Sequence, residues 1–235
     1  MKKFLTAKWH DLVMANYEVD PEILAERVPA GTDLDFHEDR CFISLVAFKF
    51  IDTRVLGVPV PFHTDFEEVN LRFYVVRQTD EETRRGVVFV KEIVPRAMIS
   101  LVARRVYGEP YETWEMSHEQ TESELSYFWS KGETKNRVSV EIAKNMGVPE
   151  EGSHGEFIIE HYWGYTKRGS GRTDEYKVEH PKWELFNVNY AEIDVDFGRT
   201  YGEKFAFLSD AQPYSILLAK GSEIAVYKGK KLLKS

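Results

Sequence analysis

The chain has 235 residues and a formal net charge of −8, with 43% hydrophobic and 14% aromatic residues. That composition excludes a disordered chain, supplies a full core, and suits a single domain of the larger β type spanning residues 1–235. With a pI near 5.5, a nucleic-acid or anionic-membrane partner is not expected. No apolar run reaches the roughly 18 residues of a membrane span, and the opening residues lack the apolar stretch of a signal peptide, so a cytoplasmic location is expected.

Lys3 to Trp9 reads as a short strand, and Asp20-Pro21-Glu22-Ile23-Leu24-Ala25-Glu26-Arg27 as a helix with an N-cap Asp and Pro in its first turn. Leu34 to Phe36 and Cys41 to Ile51 flank a polar hairpin turn, His37 to Arg40. The second arm is apolar on both faces, which places it inside the protein. Its lone cysteine, Cys41, reads as a small core residue rather than a reactive thiol. Arg54 to His63, with Gly57, Pro59 and Pro61, reads as a connection.

Asp65 to Val76 is the strand with most chemical content. Val69, Leu71, Phe73 and Val75 share one face, and Glu68, Asn70, Arg72 and Tyr74 the other. Alternation leaves open whether that polar row is a solvated surface or the lining of a cavity. Asp80 to Gly86 is a charged turn and Val87 to Val90 the returning arm. Pro95 to Gly108 then changes to helical period, with Met98, Leu101, Val102 and Arg105 on one face.

Further strands are predicted at Tyr111 to Met116, Glu124 to Trp129 and Arg137 to Ile142. Phe157 to Lys167 and Thr173 to Glu179 flank the turn Arg168-Gly169-Ser170-Gly171-Arg172. Trp183 to Val188 and Glu192 to Phe197 read as strands, and Ser215 to Leu218 with Glu223 to Tyr227 as arms around Lys220-Gly221-Ser222. The sum is α+β and mainly antiparallel β, a sheet that curls or closes to remove its edges, with a few short helices.

Seven histidines are present, none at metal-ligand spacing, so no metal site is assigned. His161 and His180 each follow a glutamate directly, and alternation does not pair them. No GxSxG, P-loop or GxGxxG follows a strand, and no cofactor is expected.

Leu101-Val102-Ala103-Arg104-Arg105-Val106-Tyr107-Gly108-Glu109-Pro110, after a hairpin whose first arm holds Phe66-Glu67-Glu68-Val69, resembles the acetoacetate decarboxylase-like superfamily. More closely, Phe4 to Trp9, Val28 to Thr32, His161-Tyr162-Trp163-Gly164-Tyr165 and Val178 to Trp183 resemble the uncharacterised DUF2071 family of YqjF-like proteins. The resemblance implies a curled barrel or cone with a central cavity, a small-molecule ligand and a homo-oligomer. It places Glu68 at the decarboxylase pocket glutamate. Where the decarboxylases carry Gly-x-Pro-Lys-Lys, this chain has Gly108-Glu109-Pro110-Tyr111-Glu112, so both lysines of the imine chemistry are absent.

On this reading Glu68 and Tyr111 are the candidate catalytic pair, a general base and a donor to a carbonyl oxygen. Asn70, Arg72, Arg104 and Arg105 are the candidate binding residues for an organic acid or carbonyl compound, with arginine as a bidentate carboxylate clamp. Two alternatives stand beside it: a non-catalytic ligand sensor or carrier, and a scaffold presenting Tyr162, Trp163 and Tyr165 to a partner. Lys91, next to the predicted helix, is the one amine left as an alternative source of imine chemistry.

Overall fold

A computed structural model describes residues 2–59, 61, 63–96 and 109–232. All of the predicted helix Pro95–Gly108 except its first two residues lies outside them, and Arg104 and Arg105 with it. The described strands are β1 (Lys3–Glu18), β2 (Asp33–Leu34), β3 (Phe36–His37), β4 (Arg40–Val55), β5 (Val58–Pro59), β6 (Phe66–Gln78), β7 (Thr83–Val94) and β8 (Tyr111–Thr113). They continue as β9 (Glu115–Gln120), β10 (Glu124–Lys131), β11 (Thr134–Gly147), β12 (Trp163–Arg168), β13 (Arg172–Glu179), β14 (Leu185–Asp194), β15 (Ser215–Tyr227) and β16 (Lys230–Lys231). Three short α-helices are described: α1 (Glu22–Ala25), α2 (His154–Ile159) and α3 (Phe197–Tyr201). None of the described helices is long and apolar enough to cross a membrane.

Neighbouring strands run β13-β12-β7-β6-β4-β1-β15, and β13 pairs back onto β15 through Val178–Val226 and Glu179–Ala225, so the sheet curls on itself. Its ladders are antiparallel except β12 with β7 and β7 with β8. From β15 the path continues to β14-β11-β10-β9, and this extension reaches back to the curled part. Lys49 of β4 donates to Gln120 of β9 at 2.8 Å, and His118 of β9 meets Glu67 of β6 at 2.7 Å.

Strand alternation divides the apolar residues between two cores. Val13, Ala15 and Tyr17 of β1, Cys41, Ile43, Leu45 and Ala47 of β4, and Val69, Leu71, Phe73 and Val75 of β6 join residues of β10, β11 and α3 in one. Ala7, Leu12 and Met14, then Phe42, Val46, Phe48 and Phe50, then Phe66 and Tyr74 point the other way and meet α2, β13 and Trp183. The central strands are therefore walls between two interiors, as the doubly apolar β4 sequence predicts. Cys41 is 3% exposed in the first core, and burial pushes its thiol up to about 11, in keeping with a packing role.

The hairpin at 38–39 forms as expected, and the hairpin of β6 and β7 forms with a shorter turn than predicted, since Thr83 to Gly86 already pair with β6. In the first, Glu38 and Asp39 both take positive φ (49° and 63°), the backbone of a two-residue type I′ turn. The helix after Asp20 forms as a single turn, with the Asp20 carboxylate accepting from Glu22 N at 2.9 Å.

Other expectations are corrected. Phe157–Ile159 belongs to α2, not a strand, because Ser153 accepts from Glu156 N and starts a helix with Phe157, Ile158 and Ile159 buried. The strand predicted to reach Phe197 ends at Asp194, since Asp196 caps α3 by accepting from Arg199 N. The turn predicted at Lys220-Gly221-Ser222 is a bend inside one long strand, paired to β1 on both sides of Gly221. Gly221 has φ +82°, and a Cβ there would run into the carbonyl oxygen of Trp9. Gly221 faces His10, and the next residue of β1, Asp11, also takes positive φ (55°), so β1 and β15 bend together. Gly221→Ala is expected to destabilise the protein by roughly 2–4 kcal/mol in urea unfolding, through backbone strain plus collision; a loss within about 0.5 kcal/mol, the range of an ordinary surface change, would contradict this account.

Candidate functional site

Both faces of β6 are buried, which answers the question alternation left open. Glu68, Asn70, Arg72 and Tyr74 are 3%, 2%, 9% and 1% exposed. The first three line an enclosed cavity of about 200 Å³, several times the roughly 30 Å³ share of one water.

The neighbouring strand contributes through an irregularity. Arg72 opposes Phe89 and Leu71 opposes Lys91, so Val90 is an extra residue in β7. Unbroken alternation from Phe89 would turn Lys91 inward. With the bulge, Glu92 stands opposite Asn70 and lines the cavity, and Lys91 turns to the other side, where its Nζ meets Glu112 Oε1 at 2.8 Å and the Thr200 carbonyl at 2.6 Å. No lysine lines the cavity among the described residues, and residues 97–108 contain none.

β8 pairs in parallel with β7, placing Tyr111 beside Glu92, and Glu109 precedes it at the same wall. Asn70 Nδ2 donates to Glu68 Oε1 at 3.1 Å and Tyr111 Oη to Glu68 Oε2 at 3.3 Å. Tyr176 Oη donates to Glu109 Oε1 at 2.5 Å. That phenol fills the space a side chain at Gly164 of the adjacent strand would need, so Gly164 is the residue that admits Tyr176.

Three carboxyl groups, Glu68, Glu92 and Glu109, are thus buried together. Burial disfavours their charged forms. It pushes Glu68 up to about 8, against hydrogen bonds from Asn70 and Tyr111 and the charge of Arg72. Glu109 rises to about 7, held back by hydrogen bonds from Tyr176 and Glu92. Glu92 is raised well above the ordinary range by burial and by the charges of Glu109 and Glu68. Tyr111 is likewise raised and stays a phenol, a donor. Near neutral pH the trio therefore shares protons.

Arg72 Nη2 makes only long contacts, 3.4 Å to the Ile158 carbonyl and 4.0 Å to Met14 Sδ, and its Nε has no hydrogen-bond partner. Among the described residues it forms no ion pair. His161 lines the same cavity, its Nε2 3.1 Å from Asp35 Oδ2, while Arg85 grips both oxygens of Asp35 at 2.7 and 3.1 Å. Burial pulls His161 down to about 4, so the ring is neutral and donates its Nε2 proton to Asp35. Burial also raises the Asp35 carboxyl, but the hydrogen bonds from His161 and Arg85 outweigh it and hold Asp35 low. His180 stacks on Trp183 with ring centres 4.1 Å apart, and with Trp9, Phe48, Phe50 and Phe66 completes an aromatic wall.

Of the sequence candidates, Glu68, Asn70, Arg72 and Tyr111 come together, while Arg104 and Arg105 lie outside the described residues. Glu92, Glu109, Tyr176 and the Asp35–His161 pair were not anticipated. Glu109 lay inside the quoted motif, next to Pro110. The bulge that turns Glu92 inward leaves no mark in the sequence. Trp163 and Tyr165 are buried and Tyr162 is half-buried, so this aromatic run offers no contiguous partner surface. Among the described residues no group of three or more His, Cys, Asp or Glu is placed to hold a metal ion.

A curled, mostly antiparallel sheet with few short helices is the acetoacetate decarboxylase-like fold. The chain superposes on an acetoacetate decarboxylase-like enzyme from Sphingomonas wittichii RW1 with a TM-score of 0.66 at 12% identity, covering 100% of this chain and 95% of that one. It superposes on the enduracididine biosynthesis enzyme MppR, in complex with pyruvate, with a TM-score of 0.67 at 12% identity, covering 100% and 92%. At such identity the likeness shows the fold alone. In sequence the chain is 27% identical over 192 residues to the uncharacterized protein YqjF of Bacillus subtilis (strain 168), covering 80% of this chain and 77% of that protein. The DUF2071 family, described as an uncharacterized conserved protein, matches residues 6–223, and the chain belongs to it.

A carboxyl whose pKa is raised by folding stabilises the fold fully below its unfolded value near 4.3, and that contribution is lost as pH rises through its folded value. For Glu68 the loss runs from the unfolded value up to its folded value of about 8, above which it levels off. Between pH ~6.5 and ~8 the wild type should lose stability relative to Glu68→Gln by up to about 1 kcal/mol per pH unit. Thermal unfolding of both proteins across that range measures it, and parallel curves would refute it.

Proposed function

We propose that the chain binds a small organic acid or carbonyl compound in this cavity and moves a proton on it without a lysine imine. The carrying observation is Arg72, a buried guanidinium with no ion pair among the described residues. An uncompensated buried charge is costly, and a ligand carboxylate held by its fork would relieve that cost. Arg104 and Arg105 join this proposal on the sequence resemblance alone. The pyruvate complex of MppR supports a ligand of this size and class.

With the carboxylate on Arg72, Tyr111 Oη donates to the ligand carbonyl oxygen. Glu68, held by Asn70 and titrating near neutral pH, takes a proton from the carbon next to that carbonyl. The electrons move onto the oxygen, where the phenol stabilises the enolate, and returning the proton restores the ligand. The lack of a cavity lysine also suits a non-catalytic sensor or carrier, which would bind the same ligands and exchange no proton.

Keto acids should raise the melting temperature of the wild type, and Arg72→Ala, folded by circular dichroism, should weaken their binding at least about tenfold. Unchanged binding by the folded variant would overturn the clamp. Borohydride trapping read by intact mass should give no adduct, since no lysine among the described residues lines the cavity. Solvent deuterium should enter the ligand next to its carbonyl, and Glu68→Gln should slow this at least about a hundredfold; binding without exchange in the wild type would leave the sensor reading.

A further inference from the structure

The acid clamp accounts for one part of the cavity and leaves the carboxyl wall without a counterpart. Among the described residues the carboxyl groups of Glu68, Glu92 and Glu109 hydrogen-bond to Asn70 Nδ2, Tyr111 Oη and Tyr176 Oη and, between Glu92 and Glu109, to each other. Asn70 donates its Nδ2 to Glu68, which fixes the amide orientation and leaves Oδ1 as an acceptor. Asn70 Oδ1 and Glu92 Oε2 have no hydrogen-bond partner among the described residues, although both residues are 2% exposed. Buried acceptors without donors are rare and costly. They line the same cavity as Glu68 and stand opposite one another across the β6–β7 ladder.

This wall and Arg72 occupy separate positions along β6. Glu68 and Arg72 are four residues apart on one strand, about 13 Å at the backbone. A ligand using both must carry two different functional groups. We propose that it is a small zwitterion: a carboxylate for Arg72, and at its other end a protonated nitrogen seated between Glu68, Glu92 and Asn70 Oδ1, with Glu109 behind. The inference rests on the reading of Arg72 as the acid clamp.

A cation is the chemistry that satisfies every part of this wall. Its N–H groups supply the donors that Asn70 Oδ1 and Glu92 Oε2 lack, and its charge replaces protons that the buried trio otherwise holds. Among the described residues the other ionisable groups facing the trio are Tyr111 from β8, Tyr176 from β13, Arg72 from β6 and, at longer range, Arg168 at the end of β12. Neither tyrosine brings a positive charge. A second carboxylate at this end would instead add to the repulsion among three buried acids.

The test is calorimetric titration of the full chain with matched acids: valerate, glutarate and δ-aminovalerate, with γ-aminobutyrate and ε-aminocaproate to vary length. At least one of the amino acids should bind about tenfold tighter than valerate, and glutarate should bind no better than valerate. Binding of the amino acid, and not of valerate, should release protons, seen as an enthalpy that changes with the ionisation enthalpy of the buffer. Glu92→Gln, which preserves shape, should abolish the preference while leaving valerate affinity as it was. Equal affinity for valerate and all the amino acids, with no proton release, overturns this inference and leaves the acid clamp standing. Loss of all binding to Arg72→Ala together with retained preference in Glu92→Gln also overturns it. Should valerate and the amino acids alike fail to bind the wild type, the clamp itself is refuted, and this inference with it.

Discussion

Three carboxyl groups buried side by side in one cavity wall cannot all be charged at little cost, and much of the architecture around them bears on that constraint. Isolated buried carboxylates are among the most expensive groups a fold can hold. Here Glu68, Glu92 and Glu109 lie among phenols and an amide that donate to them, and burial moves their titration to neutral pH or above.

The fold holds them there by making the central strands walls between two interiors. Strand β6 sends Val69, Leu71, Phe73 and Val75 into one core, and that packing anchors the strand strongly enough to carry Glu68, Asn70 and Arg72 on its other side. A one-residue slip would exchange the faces and bury the ionic row in the apolar core, so register is tightly specified. The neighbouring strand breaks alternation once, at Val90. That extra residue decides that an acid rather than an amine faces the cavity.

At 12% identity to its structural neighbours the curled sheet persists, and a fold shared at that level does not carry a function with it. With a phenol at Tyr111 and Lys91 turned outward, no lysine lines the cavity among the described residues.

The sequence by itself determined the hairpin frame, the doubly apolar β4, the packing role of Cys41 and the placing of Glu68, Asn70 and Arg72 on one face of β6, because these are written in local alternation and turn chemistry. The motif Gly108-Glu109-Pro110-Tyr111 likewise pointed to Tyr111 as a site residue. Only the tertiary structure decided that the polar face of β6 is enclosed, because enclosure depends on β13 meeting β15 nearly fifty residues away. It alone decided that Glu92 points in and Lys91 out, since a bulge is a property of two strands in register and not of either one. The same holds for Gly221, which reads locally as a turn and is a bend in a long strand because β1 pairs with it on both sides.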